Sequence, residues 1–126
     1  MAFRPSLRVS SGLALVIGLA VGFVAAPRTQ EAEERSFKVT AHKYAFSPAV
    51  IEVNQDDLVR VTLTTEDIPH SFTIDKYRIA KRVEPGRSVV LEFRADQPGR
   101  FPIYCNLTID EKCKEMRAEL VVKNKN

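Results

Sequence analysis

The sequence has 126 residues, enough for one domain of ordinary size and too few for two. It carries 19 Lys and Arg against 16 Asp and Glu, a net charge of +3. Arg4 and Arg8 precede Ala26, so the rest of the chain keeps 17 basic against 16 acidic residues, and with no Lys/Arg cluster this excludes a nucleic-acid-binding reading.

In chain order, Arg4 and Arg8 stand before an uncharged apolar run, Gly12 to Ala26, which Pro27-Arg28 ends. A positive stretch followed by an apolar one reads as an export signal. The run falls short of the roughly 20 residues that cross a bilayer comfortably, which favours a signal peptide over a transmembrane helix. Pro27 hinders cleavage after Val24-Ala25-Ala26, so an N-terminal membrane anchor through residues 12–26 stays open. Both readings of residues 1–26 make the domain extracytoplasmic, periplasmic or secreted. Pro27 to Arg35 is charged and aperiodic, a tether, and the domain is expected over residues 36–126.

From Ser36 the pattern changes to period two. Phe37, Val39 and Ala41 alternate with polar residues, and Val50 to Val53 follows. Val59, Val61 and Leu63 alternate within Leu58 to Thr65. Phe72 and Ile74 flank Thr73; Val89, Leu91 and Phe93 form a further set. Phe101 to Tyr104 and Leu120 to Val122 complete the series. Turn signals separate the runs at Ser47-Pro48, Asn54 to Asp57, Pro85-Gly86 and Pro98-Gly99. About seven short strands at this spacing predict an all-β domain, a Greek-key antiparallel sandwich or barrel.

One segment breaks the period. Thr108-Ile109-Asp110-Glu111 has the spacing of a capping box, with Thr108 as N-cap and Glu111 reaching back. A helical turn from there puts Ile109, Cys113 and Met116 on one face. After the initiator, the two Cys and the one Met of the chain all lie between positions 105 and 116. Soft metals take thiolate, thioether and imidazole ligands. Cys105, Cys113 and Met116 supply the sulfurs from one loop, and His70 supplies an imidazole from another. Two other readings remain open: three apolar residues seated on a sandwich edge, or a Cys105–Cys113 disulfide, since exported domains are oxidised. His42 reads as a surface or strand-edge residue. Tyr44, Phe46, Phe72 and Tyr104 suit either core packing or a path for electrons.

Residues Lys38 to Val122 resemble the cupredoxins, most of all the copper-binding domain of cytochrome c oxidase subunit II and its single-domain relatives. The resemblance rests on Phe46-Ser47-Pro48, on Asp67 to Phe72 (Asp-Ile-Pro-His-Ser-Phe), and on Pro85-Gly86-Arg87. Pro98-Gly99, Phe101 to Cys105 and Met116-Arg117 complete it. It implies a cupredoxin-like fold with copper ligands at His70, Cys105 and Met116. The family's second Cys falls at Ile109 and its second His at Cys113, so two ligand positions depart from the pattern. Without a thiolate at Ile109 two coppers cannot be bridged by paired sulfurs. The expected remainder is one copper ion in a mononuclear His70-Cys105-Cys113-Met116 set, with zinc second because Met is an unusual zinc ligand. The expected function is electron transfer with a redox protein as partner. Cu(I) binding and delivery to a copper-handling partner is the alternative, followed by a metal-free, disulfide-stapled interaction module. With no acid–base pair at a telling spacing, no enzymatic activity is expected.

Overall fold

The structure, a computed structural model of the chain, describes residues 12, 14–23 and 33–125. Arg4, Arg8, the Val24 to Ala26 stretch and tether residues 27–32 lie outside the described residues. Residues 14–23 have no regular secondary structure, and among the described residues no helix is long and apolar enough to cross a membrane.

Nine strands follow: β1 (Glu34–His42), β2 (Ala45–Ser47), β3 (Val50–Asn54), β4 (Leu58–Thr65) and β5 (His70–Ile74), then β6 (Ile79–Val83), β7 (Ser88–Arg94), β8 (Gly99–Tyr104) and β9 (Arg117–Lys123). They form two packed sheets, one in the order β2-β1-β4-β7 and the other β3-β9-β8-β5-β6. The all-β sandwich expected from the sequence is therefore present. Two pairings are parallel, β1 with β4 and β3 with β9. Side-chain alternation has the same period in either direction, so the pattern alone does not separate them.

The alternation itself is physical. In β4, Val59, Val61 and Leu63 are buried while Arg60 is exposed. Val39 lies beside them on β1, and Ile51, Phe72, Ile103 and Leu120 of the other sheet complete the core between the sheets. Phe46 and Phe72 meet edge to face, ring centroids 5.8 Å apart, the arrangement that ring quadrupoles favour.

Two strands escape the sequence pattern. β2 has only three residues. In β6, Lys81 pairs with Phe72 and stands where an apolar residue is expected. A charge on that side of an edge strand guards against sheet-to-sheet association and erases the alternation. β1 begins at Glu34, so Glu34 and Arg35 belong to the sheet rather than to the tether. Between β6 and β7, Gly86 takes φ +76°, a backbone region that side-chain-bearing residues rarely adopt.

Leu63 is fully buried, so Leu63→Ala is expected to cost about 2–5 kcal/mol in urea unfolding through lost transfer energy and the cavity left behind. Val90, on the outer face of β7 and 42% exposed, should tolerate Ala within about 0.5 kcal/mol.

Candidate metal centre

The centre is built where three strands begin or end. His70 opens β5, Cys105 follows the last residue of β8, and Met116 precedes β9. Because β5, β8 and β9 run alternately up and down, these three points share one end of the five-stranded sheet. Thr73 pairs with Tyr104. Continuing that register sets Phe72 across from Cys105 and Ser71 across from Asn106. His70 therefore lies on the inner face, diagonal to Cys105.

Hydrogen bonds fix this junction. The Ser71 N–H donates to Cys105 Sγ at 3.4 Å. The Ser71 hydroxyl donates to Asn106 Oδ1 at 2.6 Å and accepts the Asn106 N–H at 2.7 Å. The chain immediately after His70 is thus locked to the chain at Cys105. His70, Cys105, Cys113 and Met116 are all buried.

The His70 ring is oriented by Asp67, whose Oδ1 lies 2.8 Å from Nε2. Partial burial opposes the charge on Asp67. Hydrogen bonds from the Ile68 N–H, the His70 ring and the Lys43 N–H outweigh it and lower Asp67 from 3.8 to about 2. An ionised carboxylate only accepts, so in the neutral ring the proton sits on Nε2 and Nδ1 keeps its lone pair. That Nδ1 is buried with no hydrogen-bond partner. An unsatisfied buried polar atom costs about 1–3 kcal/mol. A carboxylate on the far nitrogen is also how metal-binding histidines are commonly oriented.

Cys105 and Cys113 are joined as a disulfide, with Cα atoms 5.2 Å apart. In this state both sulfurs are spent on each other, and among the described residues no three His, Cys, Asp or Glu groups are gathered as a metal cage. The four side chains suit a soft metal as donors: an imidazole with a free lone pair, two sulfurs that become thiolates on reduction, and a thioether. A His70-Cys105-Cys113-Met116 set therefore requires the disulfide to open.

The turn that carries Cys113 differs from the sequence reading. It is a 3-10 helix over Glu111–Glu115, capped by Asp110 rather than Thr108, and the Asp110 side chain accepts the Lys112 N–H. Ile109 precedes the turn and is 63% exposed, so it does not share the face of Cys113 and Met116. Those two sit three residues apart, the spacing that eclipses in a 3-10 turn.

Asp67, Asp110 and the Ser71–Asn106 pair were not singled out by residue type. Asp110 carried a signal, since Asp is a stronger N-cap than Thr. The roles of Asp67 and Asn106 depend on contacts that sequence spacing does not encode. His42 ends β1 paired with Ala45 and is half-buried. Tyr44 and Tyr104 donate their hydroxyls to Asp110 and Asp75.

Comparison with known proteins agrees with this architecture. The family model for the Cupredoxin-like domain matches residues 14–122. The nitrous-oxide reductase of Cupriavidus necator is 34% identical over 89 residues, covering 68% of this chain and 14% of that protein. Cytochrome c oxidase subunit 2 of Thermus thermophilus is 28% identical over 85 residues, covering 68% of this chain and 63% of that protein. The chain thus spans less than two thirds of either relative. In fold, the periplasmic domain of cytochrome oxidase subunit II from Bradyrhizobium japonicum superposes with a TM-score of 0.64 at 16% identity, over 71% of this chain and 84% of that one.

The lowered Asp67 gives a pH test on the metal-free, disulfide-closed protein. A carboxyl whose folded pKa lies below its unfolded value stabilises the fold above the unfolded value, and that share is lost as pH falls through the folded one. The window here runs from 3.8 down to about 2. Asp67→Asn should therefore destabilise the protein at neutral pH, and the gap from wild type in urea unfolding should narrow below roughly pH 4. A gap independent of pH would contradict the ionised pair.

Proposed function

The chain belongs to the cupredoxin-like domain family, and from that premise we propose that it is an extracytoplasmic copper-binding domain that carries electrons through one copper ion. The ligands in this reading are His70, Cys105, Cys113 and Met116. The observation that carries it is the buried, unpartnered Nδ1 of His70, beside Cys105 on the inner face. Copper is the metal named for a protein of the same fold, a Cu-containing nitrite reductase from Thermus scotoductus.

When bound, copper supplies a one-electron Cu(I)/Cu(II) couple. The protein's own part is positional. Asp67 holds the proton on Nε2 and turns Nδ1 inward. The Ser71 N–H donates to Cys105 Sγ and disperses charge on a thiolate there. The sandwich keeps all four side chains away from water, which limits rearrangement as the charge at the site changes.

Loading needs two electrons and two protons to convert the disulfide to two thiols. A thioredoxin-like thiol protein fits as the donor: a solved structure holds a cytochrome oxidase subunit II domain in a mixed disulfide with such a partner. Redox proteins or copper-handling proteins are the further partners of this reading. The N-terminal 26 residues serve export or anchoring, with the globular part beginning near Glu33.

A second reading has its own observation. The Cys105–Cys113 disulfide suits a metal-free domain whose loop is stapled for binding another protein. A disulfide closing so short a loop stabilises by about 2–3 kcal/mol.

Thiol titration with metal analysis separates the two. Reduced protein is expected to take up one copper ion and to show two thiols that become reactive when copper is stripped. His70→Ala should lower copper affinity at least ten-fold, about 1.4 kcal/mol. Cys113→His should yield an intense visible charge-transfer band. No copper uptake by the fully reduced protein would leave the stapled module as the function.

A further inference from the structure

The segment from Asn106 to Met116 leaves β8 and reaches β9 without ladder bonds, yet it carries two of the four proposed ligands. What seats it is a short series of contacts that starts on the opposite sheet. Tyr44, in the two-residue turn between β1 and β2, donates its hydroxyl to Asp110 Oδ2 at 2.9 Å. Asp110 Oδ1 accepts the Lys112 N–H at 3.0 Å. The Asp110 carbonyl accepts the Cys113 N–H, and the Cys113 carbonyl accepts the Met116 N–H, both at 3.1 Å. Lys112 Nζ lies 5.3 Å from the centre of the Tyr44 ring, within cation–π reach.

The same turn grips the other half of the centre. The Lys43 N–H donates to Asp67 Oδ2 at 2.7 Å, while Asp67 Oδ1 holds the His70 ring. Lys43 and Tyr44 are neighbours in sequence, so one turn fastens both the imidazole side and the sulfur side of the site. None of these contacts passes through the S–S bond.

We propose that the Lys43–Tyr44 turn is a clasp, in which Tyr44 and Asp110 are positioning residues that keep Cys113 seated against Cys105 whether the disulfide is closed or open. Holding two thiols close raises the effective concentration of one toward the other. The clasp therefore favours disulfide closure in the absence of metal and the gathering of both sulfurs in its presence. A loop organised only by its own disulfide would fall slack on reduction.

The test uses the full chain with Tyr44→Phe, Asp110→Ala and Asp110→Asn. The first readout is the Cys105–Cys113 equilibrium in buffers of reduced and oxidised glutathione. Each closure passes two electrons to glutathione disulfide and yields two glutathione thiols. Loss of one partly exposed hydrogen bond should shift that equilibrium about three- to ten-fold toward the dithiol in Tyr44→Phe. Asp110→Ala should shift it further, and Asp110→Asn less, because Asn still caps the turn. Tyr104→Phe, which removes a Tyr–carboxylate bond of similar length to Asp75, is the control and should match wild type. The second readout, Cu(I) affinity in competition with a chelator, rests on the proposed function and should fall in the same order.

Equilibria for Tyr44→Phe and Asp110→Ala within two-fold of wild type, or an equal shift in Tyr104→Phe, would overturn the clasp. A shifted disulfide equilibrium in a protein whose reduced wild type takes up no Cu(I) would overturn the copper function and leave the clasp standing.

Discussion

The contact between Asp67 Oδ1 and His70 Nε2, 2.8 Å long, orders much of what lies around it. A charged carboxylate at the sandwich end demands donors, and it collects them from Ile68 and His70 on its own stretch of backbone and from Lys43 in the turn after β1. In meeting that demand the protein fixes which nitrogen of His70 carries the proton. The other nitrogen is then turned into an interior with no polar partner for it. Proteins tolerate such an atom where the local cost is offset by function.

The neighbouring sulfurs answer the same need in two ways. Closed, the Cys105–Cys113 pair is a staple that uses no metal and stabilises a loop lacking strand pairing. Open, it would supply two soft anionic donors to join the His70 nitrogen and the Met116 thioether of the proposed copper set. The two states draw on the same residues, so staple and cage exclude each other, and the redox poise of the surroundings selects between them. Under the copper function proposed above, an oxidising compartment and a need for thiolates pull in opposite directions, so that a reducing partner becomes part of the chemistry rather than an accessory to it.

Much of this was legible in the residues alone. β4 announces itself because Val59, Val61 and Leu63 bury one face while Arg60 stays wet. His70, Cys105, Cys113 and Met116 stand out as candidates because soft donors are scarce in this chain and three of them crowd one loop. β6 was not legible, since Lys81 occupies an inward position at a sheet edge. Strand direction was hidden for β1 and β3 because parallel and antiparallel neighbours impose the same period. The capping of the Cys113 turn was misassigned to Thr108 because Asp110 competes for the same role and also receives the Tyr44 hydroxyl, a contact from 66 residues away. The oxidation state of the cysteines depends on solution conditions, which no spacing records.

The direction of two strands has a further meaning. β1 enters the sheet at Glu34 and climbs toward the site, and β9 leaves the site and descends to Lys123. The descending end is tied back beside the entry, where the Lys123 carbonyl accepts the Gln55 N–H and the Glu33 carbonyl accepts the Leu58 N–H. Both ends of the domain therefore emerge on one side, separated from His70 by the length of β1, about 27 Å for nine extended residues. A unit with its two ends together is a cassette: it can be spliced into a longer polypeptide or hung from a lipid surface without anything crossing its working face. That geometry leaves the pole with His70 clear of both connections.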